Sequence, residues 1–87
     1  MVKKSRERPA RLAEKLKQIR QALGLSQSEM LRRIGREESG HRNFISDYEN
    51  GKRVPSLLEV LAYARAVGLS MDVLVDDDLE LPMHLSR

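Results

Sequence analysis

The chain reads as an all-α protein: a compact bundle of five short helices with an extended C-terminal tail. Three observations carry that reading. Apolar residues recur at steps of three and four, the spacing of one helical face, through most of residues 9–75. The pattern Ser-x-x-Glu occurs at Ser26–Glu29 and again at Ser56–Glu59; each is a reciprocal cap for a helix start. Phe44, Tyr48 and Tyr63 are the only aromatic residues, so the core must be built from Leu, Ile, Val, Met and Ala, which are mostly helix formers. The 87 residues suit one small domain. We divide them into a basic N-terminus over 1–8, a helical domain over 9–78 and a tail over 79–87.

Pro9 suits the first turn of a helix. From there Leu12, Leu16, Ile19 and Leu23 form one stripe, and Gly24 stops it as a left-handed cap residue. Ser26 and Glu29 open the second helix; Met30, Leu31 and Ile34 are its apolar face, and Gly35 closes it. The stretch "REESGHR" (36–42) is polar, contains Gly40 and has no period, which predicts a loop. Phe44, Ile45 and Tyr48 restore helical spacing up to Asn50-Gly51. Between two alternating runs that pair would make a hairpin turn. The following "KRVPS" does not alternate, so Gly51 reads as the stop of a third helix.

Pro55 and Ser56 begin the fourth helix, in which Leu57, Leu61 and Ala64 are expected to face inward or flank that face with Leu58, Ala62 and Arg65. Gly68 ends it, and Ser70 opens a short fifth helix, "SMDVLV". Asp76, Asp77 and Asp78 repel one another and predict a solvated end. Leu79, Leu81, Met83 and Leu85 then alternate as in a strand, and Pro82 demotes that strand to an edge or an extended arm.

With no cysteine there is neither a disulfide nor a thiolate metal site. No run of about 18 apolar residues exists to span a membrane. The start, "MVKKSRERPARLAEKLKQ", is basic but lacks the apolar stretch of a secretory signal, so a cytoplasmic protein is expected. Charge is unevenly spread. Residues 1–53 hold fourteen Lys/Arg against seven Asp/Glu, a net of +7, and residues 54–87 hold two against six, a net of −4. A basic half facing a polyanion fits this asymmetry, and so does a solvated tail on ordinary helix surfaces. His41 and His84 have no partner at ligand spacing, and the three aspartates lack a calcium loop's glycine turn. No cofactor or metal is expected. Neither a nucleophile–base pair nor a phosphate-cradling glycine loop is present, so an enzyme is not expected.

The strings "IRQALGLSQSEMLRRIG" (19–35) and "ISDYENGKRVPSLLEVLAYARAVGLSMDVLV" (45–75) make the segment from Leu12 to Val75 resemble the phage-repressor (XRE) family of helix-turn-helix DNA-binding proteins. The resemblance implies that the third helix enters the major groove while the second lies across the backbone. By position it makes Arg42 and Asn43 the main base readers, with Ser46 and Asp47 one turn on. Arg pairs well with guanine and Asn with adenine. Asp47 would be repelled by phosphates unless it accepts from a cytosine amino group or pairs with a cation. Gln27, His41, Lys52 and Arg53 are implied phosphate contacts, which position without specifying; Lys52 and Arg53 also fit as exposed cations beside a helix C-terminus. Arg20 and Glu49 match an internal salt bridge of the family. One departure stands out: nine residues, "REESGHRNF", separate Gly35 from Ile45, where the family has a short turn.

These features lead to a sequence-specific regulator of double-stranded DNA, a repressor, as the expected function. The alternative is an antitoxin-like or adaptor module that binds a protein partner through the same core. The family commonly acts as two-fold dimers. The expected homodimer surface is Leu79, Leu81, Met83 and Leu85 of the tail, acting with Met71 and Leu74 or Val75; a tail folded over its own helices is the other possibility.

Overall fold

The computed structural model describes residues 10–35 and 44–82. Within them lie five helices: α1 (Leu12–Leu23), α2 (Gln27–Arg33), α3 (Phe44–Glu49), α4 (Leu57–Ala66) and α5 (Met71–Val75). Each begins or ends where the local chemistry dictates. In α1 the backbone turns left-handed at Gly24, φ 72°. The Gly24 N–H then donates to the Gln21 carbonyl and the Leu25 N–H to the Arg20 carbonyl, which satisfies carbonyls the helix leaves over. Both capping boxes form. Ser26 N–H donates to Glu29 Oε1 at 2.7 Å and Glu29 N–H to Ser26 Oγ at 3.0 Å; Ser56 and Glu59 repeat the exchange at 3.0 and 3.2 Å.

One core joins the helices. Leu12, Leu16, Ile19 and Leu23 of α1 meet Met30, Leu31 and Ile34, then Ile45 and Tyr48 of α3, then Val60, Tyr63, Ala64, Val67 and Leu74. Each fully buried Leu or Ile contributes about 1.5–3 kcal/mol. The inward face of α4 is a correction: it is Glu59, Val60, Tyr63 and Ala64 that are buried, whereas Leu57 and Leu58 face outward. Both sides of α4 are apolar, so spacing alone offers two solutions; the one chosen buries the large Tyr63 ring.

The C-terminal segment departs from expectation too. Over the described residues 79–82 it is no strand. A turn closes at Leu79 N–H to the Asp76 carbonyl, 3.0 Å, and Leu81 packs half-buried against the core. Leu74 is fully buried in its own domain and has no surface to give a twin, and Met71 is half-buried on the same core. Nor are the three aspartates uniformly solvated. Asp77 accepts from the backbone N–H of Ala10 at 2.8 Å and of Arg11 at 3.0 Å. Its carboxylate thus serves the start of α1, where unsatisfied donors favour negative charge. Met83, His84 and Leu85 lie outside the described residues.

Lys15 completes this closure. Its side chain is buried, and Nζ donates to the carbonyls of Val73 (2.7 Å), Asp76 (2.9 Å) and Leu79 (2.7 Å). An ammonium has three donors, and all three are used on the carbonyl end of α5 and the turn after it.

Candidate nucleic-acid interface

Helix α3 packs against both α1 and α2, and one carboxylate ties the three together. Glu49, its side chain 4% exposed, accepts from Arg20 Nε at 2.6 Å and Nη2 at 3.1 Å. Arg20 Nη1 also donates to the Leu25 carbonyl at 2.9 Å. The Glu49 hydrogen bond holds the Arg20 guanidinium pKa above its usual value. Gln27, exposed on the first turn of α2, donates Nε2 to Glu49 Oε1 at 3.3 Å, which aims its amide while leaving a second N–H for another acceptor. The start of α2 already holds a carboxylate. Hydrogen bonds from the Ser26 backbone and hydroxyl keep Glu29 below the usual carboxylate range.

Ile45 and Tyr48 anchor α3 inward, and the Tyr48 hydroxyl donates to Glu59 Oε1 at 2.6 Å. Ser46, Asp47 and Asn50 occupy the other side; Asn50 Nδ2 donates to Ser46 Oγ at 3.3 Å. Gly51, φ 75°, then terminates the helix. Its N–H reaches the Tyr48 carbonyl at 3.3 Å, while the Lys52 and Arg53 N–H groups reach the Asp47 carbonyl at 2.8 and 3.3 Å. This is the helix stop anticipated for Asn-Gly, and it fixes two cations at the end of α3.

The two cations differ. Lys52 is exposed. Arg53 donates Nε to Asp47 Oδ2 at 3.0 Å, and its guanidinium carbon sits 5.2 Å from the centroid of the Phe44 ring. Phe44 in turn stands 6.1 Å, centroid to centroid, from Tyr48. Asp47 therefore pairs with a cation, one of the two ways its charge can be tolerated near phosphate. The Arg53–Asp47 link was not anticipated, although a charge pair flanking a glycine stop is visible in the sequence. Asn50 was also passed over as part of the turn; its place one turn after Ser46 is the signal that puts it on the outward face.

Of the other expected site residues, His41, Arg42 and Asn43 lie outside the described residues. Among those described, no cluster of three or more His, Cys, Asp or Glu could hold a metal ion, and no helix is long and apolar enough to cross a membrane. The arrangement offers two amides, a hydroxyl and an ammonium around a short helix whose own charges are internally paired, a set suited to phosphates and base edges. A family model described as helix-turn-helix matches residues 16–74. No curated protein matches the chain.

Proposed function

The chain belongs to the XRE-type helix-turn-helix family of DNA-binding regulators, and on that premise we propose that it is a sequence-specific transcriptional repressor that places α3 in the major groove of double-stranded DNA. The observation that carries the reading is the construction of α3: apolar on the side of Ile45 and Tyr48, polar on the side of Ser46, Asp47 and Asn50, and closed by a turn that fixes Lys52 and Arg53 at its end. In this reading Arg42 and Asn43 read bases with Ser46 and Asp47. Gln27, Lys52 and Arg53, with His41, hold phosphates. Arg53 does so while bonded to Asp47, so its outward N–H groups and not its Nε meet the backbone.

Selection of bound sequences from random duplexes tests the proposal. A reproducible preferred site is expected. Recovery of all sequences alike, or of none, contradicts it.

A further inference from the structure

Two carboxylates tie α3 to its neighbours. Glu49 joins it to α1 and α2 through Arg20 and Gln27. Glu59, buried at the start of α4, joins it to that helix. Glu59 Oε1 accepts from the Tyr48 hydroxyl at 2.6 Å and from the Ser56 N–H at 3.0 Å. The second bond belongs to the capping box of α4. One oxygen thus closes the start of α4 and holds the inward ring of α3. A buried carboxylate requires such donors, and an O–H aimed at a carboxylate oxygen makes one of the stronger hydrogen bonds.

Tyr48 and Ser56 bracket the turn that carries Lys52 and Arg53. Phe44, Tyr48, Arg53, Val54, Ser56 and Glu59 line one hollow between α3 and that turn. Across it the Arg53 guanidinium lies 5.2 Å from the Phe44 ring centroid, and Phe44 stands 6.1 Å from Tyr48. Contacts therefore run from Glu59 through Tyr48 and Phe44 to Arg53.

We infer that Glu59, acting through Tyr48, is a positioning residue for DNA binding, a role that rests on the phosphate contacts proposed above. The Tyr48–Glu59 bond clamps both ends of the turn, so the backbone bearing Lys52 and Arg53 is ordered before a duplex arrives. A segment ordered only on binding costs affinity that a preorganised one keeps. Glu59 itself faces the interior and meets no phosphate. Phosphate contacts position without specifying, so the clamp sets affinity for every duplex and leaves base preference to α3.

Three variants separate positioning from plain stability. Tyr48→Phe removes the hydroxyl and keeps the ring. Ser56→Ala removes the other half of the capping box and leaves the Tyr48–Glu59 bond. Glu59→Gln keeps an oxygen for both donors. Urea unfolding reports the stability of each, and fluorescence anisotropy reports affinity for a selected and a scrambled duplex under conditions where all are folded. Tyr48→Phe is expected to lose about tenfold in affinity on both duplexes alike. Ser56→Ala, although less stable than the unaltered chain, should bind as tightly as it does, and Glu59→Gln should bind at least as tightly. The inference is overturned if Tyr48→Phe binds undiminished, or if affinity follows stability across the three variants. The preference of the unaltered chain for the selected duplex tests the proposed function, and the variant ratios test the clamp, so each can fail alone; a chain that binds no duplex overturns both.

Discussion

A carboxylate on the outward side of a helix that approaches DNA repels phosphates unless a cation neutralises it, and at Asp47 that cation is Arg53, 3.0 Å away. The pair is half-exposed and adds little to stability; its consequence lies in charge. Asp47→Asn removes one negative charge and releases Arg53, so affinity for unrelated duplexes should rise together while preference relaxes at the base pair that Asp47 reads, both measured by fluorescence anisotropy at fixed salt. Arg20 and Glu49 are the opposite case. Their side chains are 16% and 4% exposed, and truncating one strands the other. Arg20→Met should cost about 3–5 kcal/mol of stability, measured by denaturant unfolding. A normal unfolding curve with lost DNA affinity would instead make Arg20 a phosphate contact. That pairing could be anticipated by position. Lys15 could not, because a lysine is ordinarily read as surface. Only its spacing, three residues after Leu12 and four before Ile19, placed it on the buried stripe.

At the scale of elements, caps and stops were legible because they are local: Ser26 and Glu29, Ser56 and Glu59, Gly24 and Gly51 all act within one turn of themselves. What was not legible depends on distant chain. The inward face of α4 hinged on which of two apolar stripes met the core, and the fate of the tail hinged on Lys15, 58 to 64 residues away from the carbonyls it binds. The joint between α1 and α5 follows from those bonds. Lys15→Met keeps the apolar stem but removes a charge-assisted donor from three carbonyls, so a loss of at least the ~1.5–3 kcal/mol of one such bond is expected. Faster amide exchange at Val73 and Leu74 than elsewhere in the core would locate the damage at α5. An unchanged melting temperature would mean that water replaces the ammonium.

Across the whole molecule, the basic and acidic halves of the sequence partly neutralise each other. Asp77 receives the first N–H groups of α1, Arg11 Nη1 donates to the Asp77 carbonyl at 2.9 Å, and Lys15 takes the carbonyls around it. Those backbone bonds from Ala10 and Arg11 hold the Asp77 carboxyl below the usual carboxylate range. A lowered folded value contributes stability in full above the unfolded value of about 3.9, and that contribution fades as pH falls through the folded value. Asp77→Asn should therefore be less stable than the unaltered chain at neutral pH, with the gap closing in acid; a gap independent of pH would contradict the assignment.

With Lys15 and Arg11 occupied internally and Arg20 paired with Glu49, the end of α3 offers a polyanion two exposed cations, Arg53, which is also bonded to Asp47, and Lys52. The decisive experiment is a salt titration of affinity for a selected duplex and for a scrambled one, run on the unaltered chain and on Lys52→Ala. The account predicts affinity that falls steeply with salt on both duplexes and a preference for the selected site. It also predicts a slope shallower by about one in the variant with that preference intact. Salt-independent binding, equal affinity for both duplexes, or an unchanged slope in Lys52→Ala would contradict it.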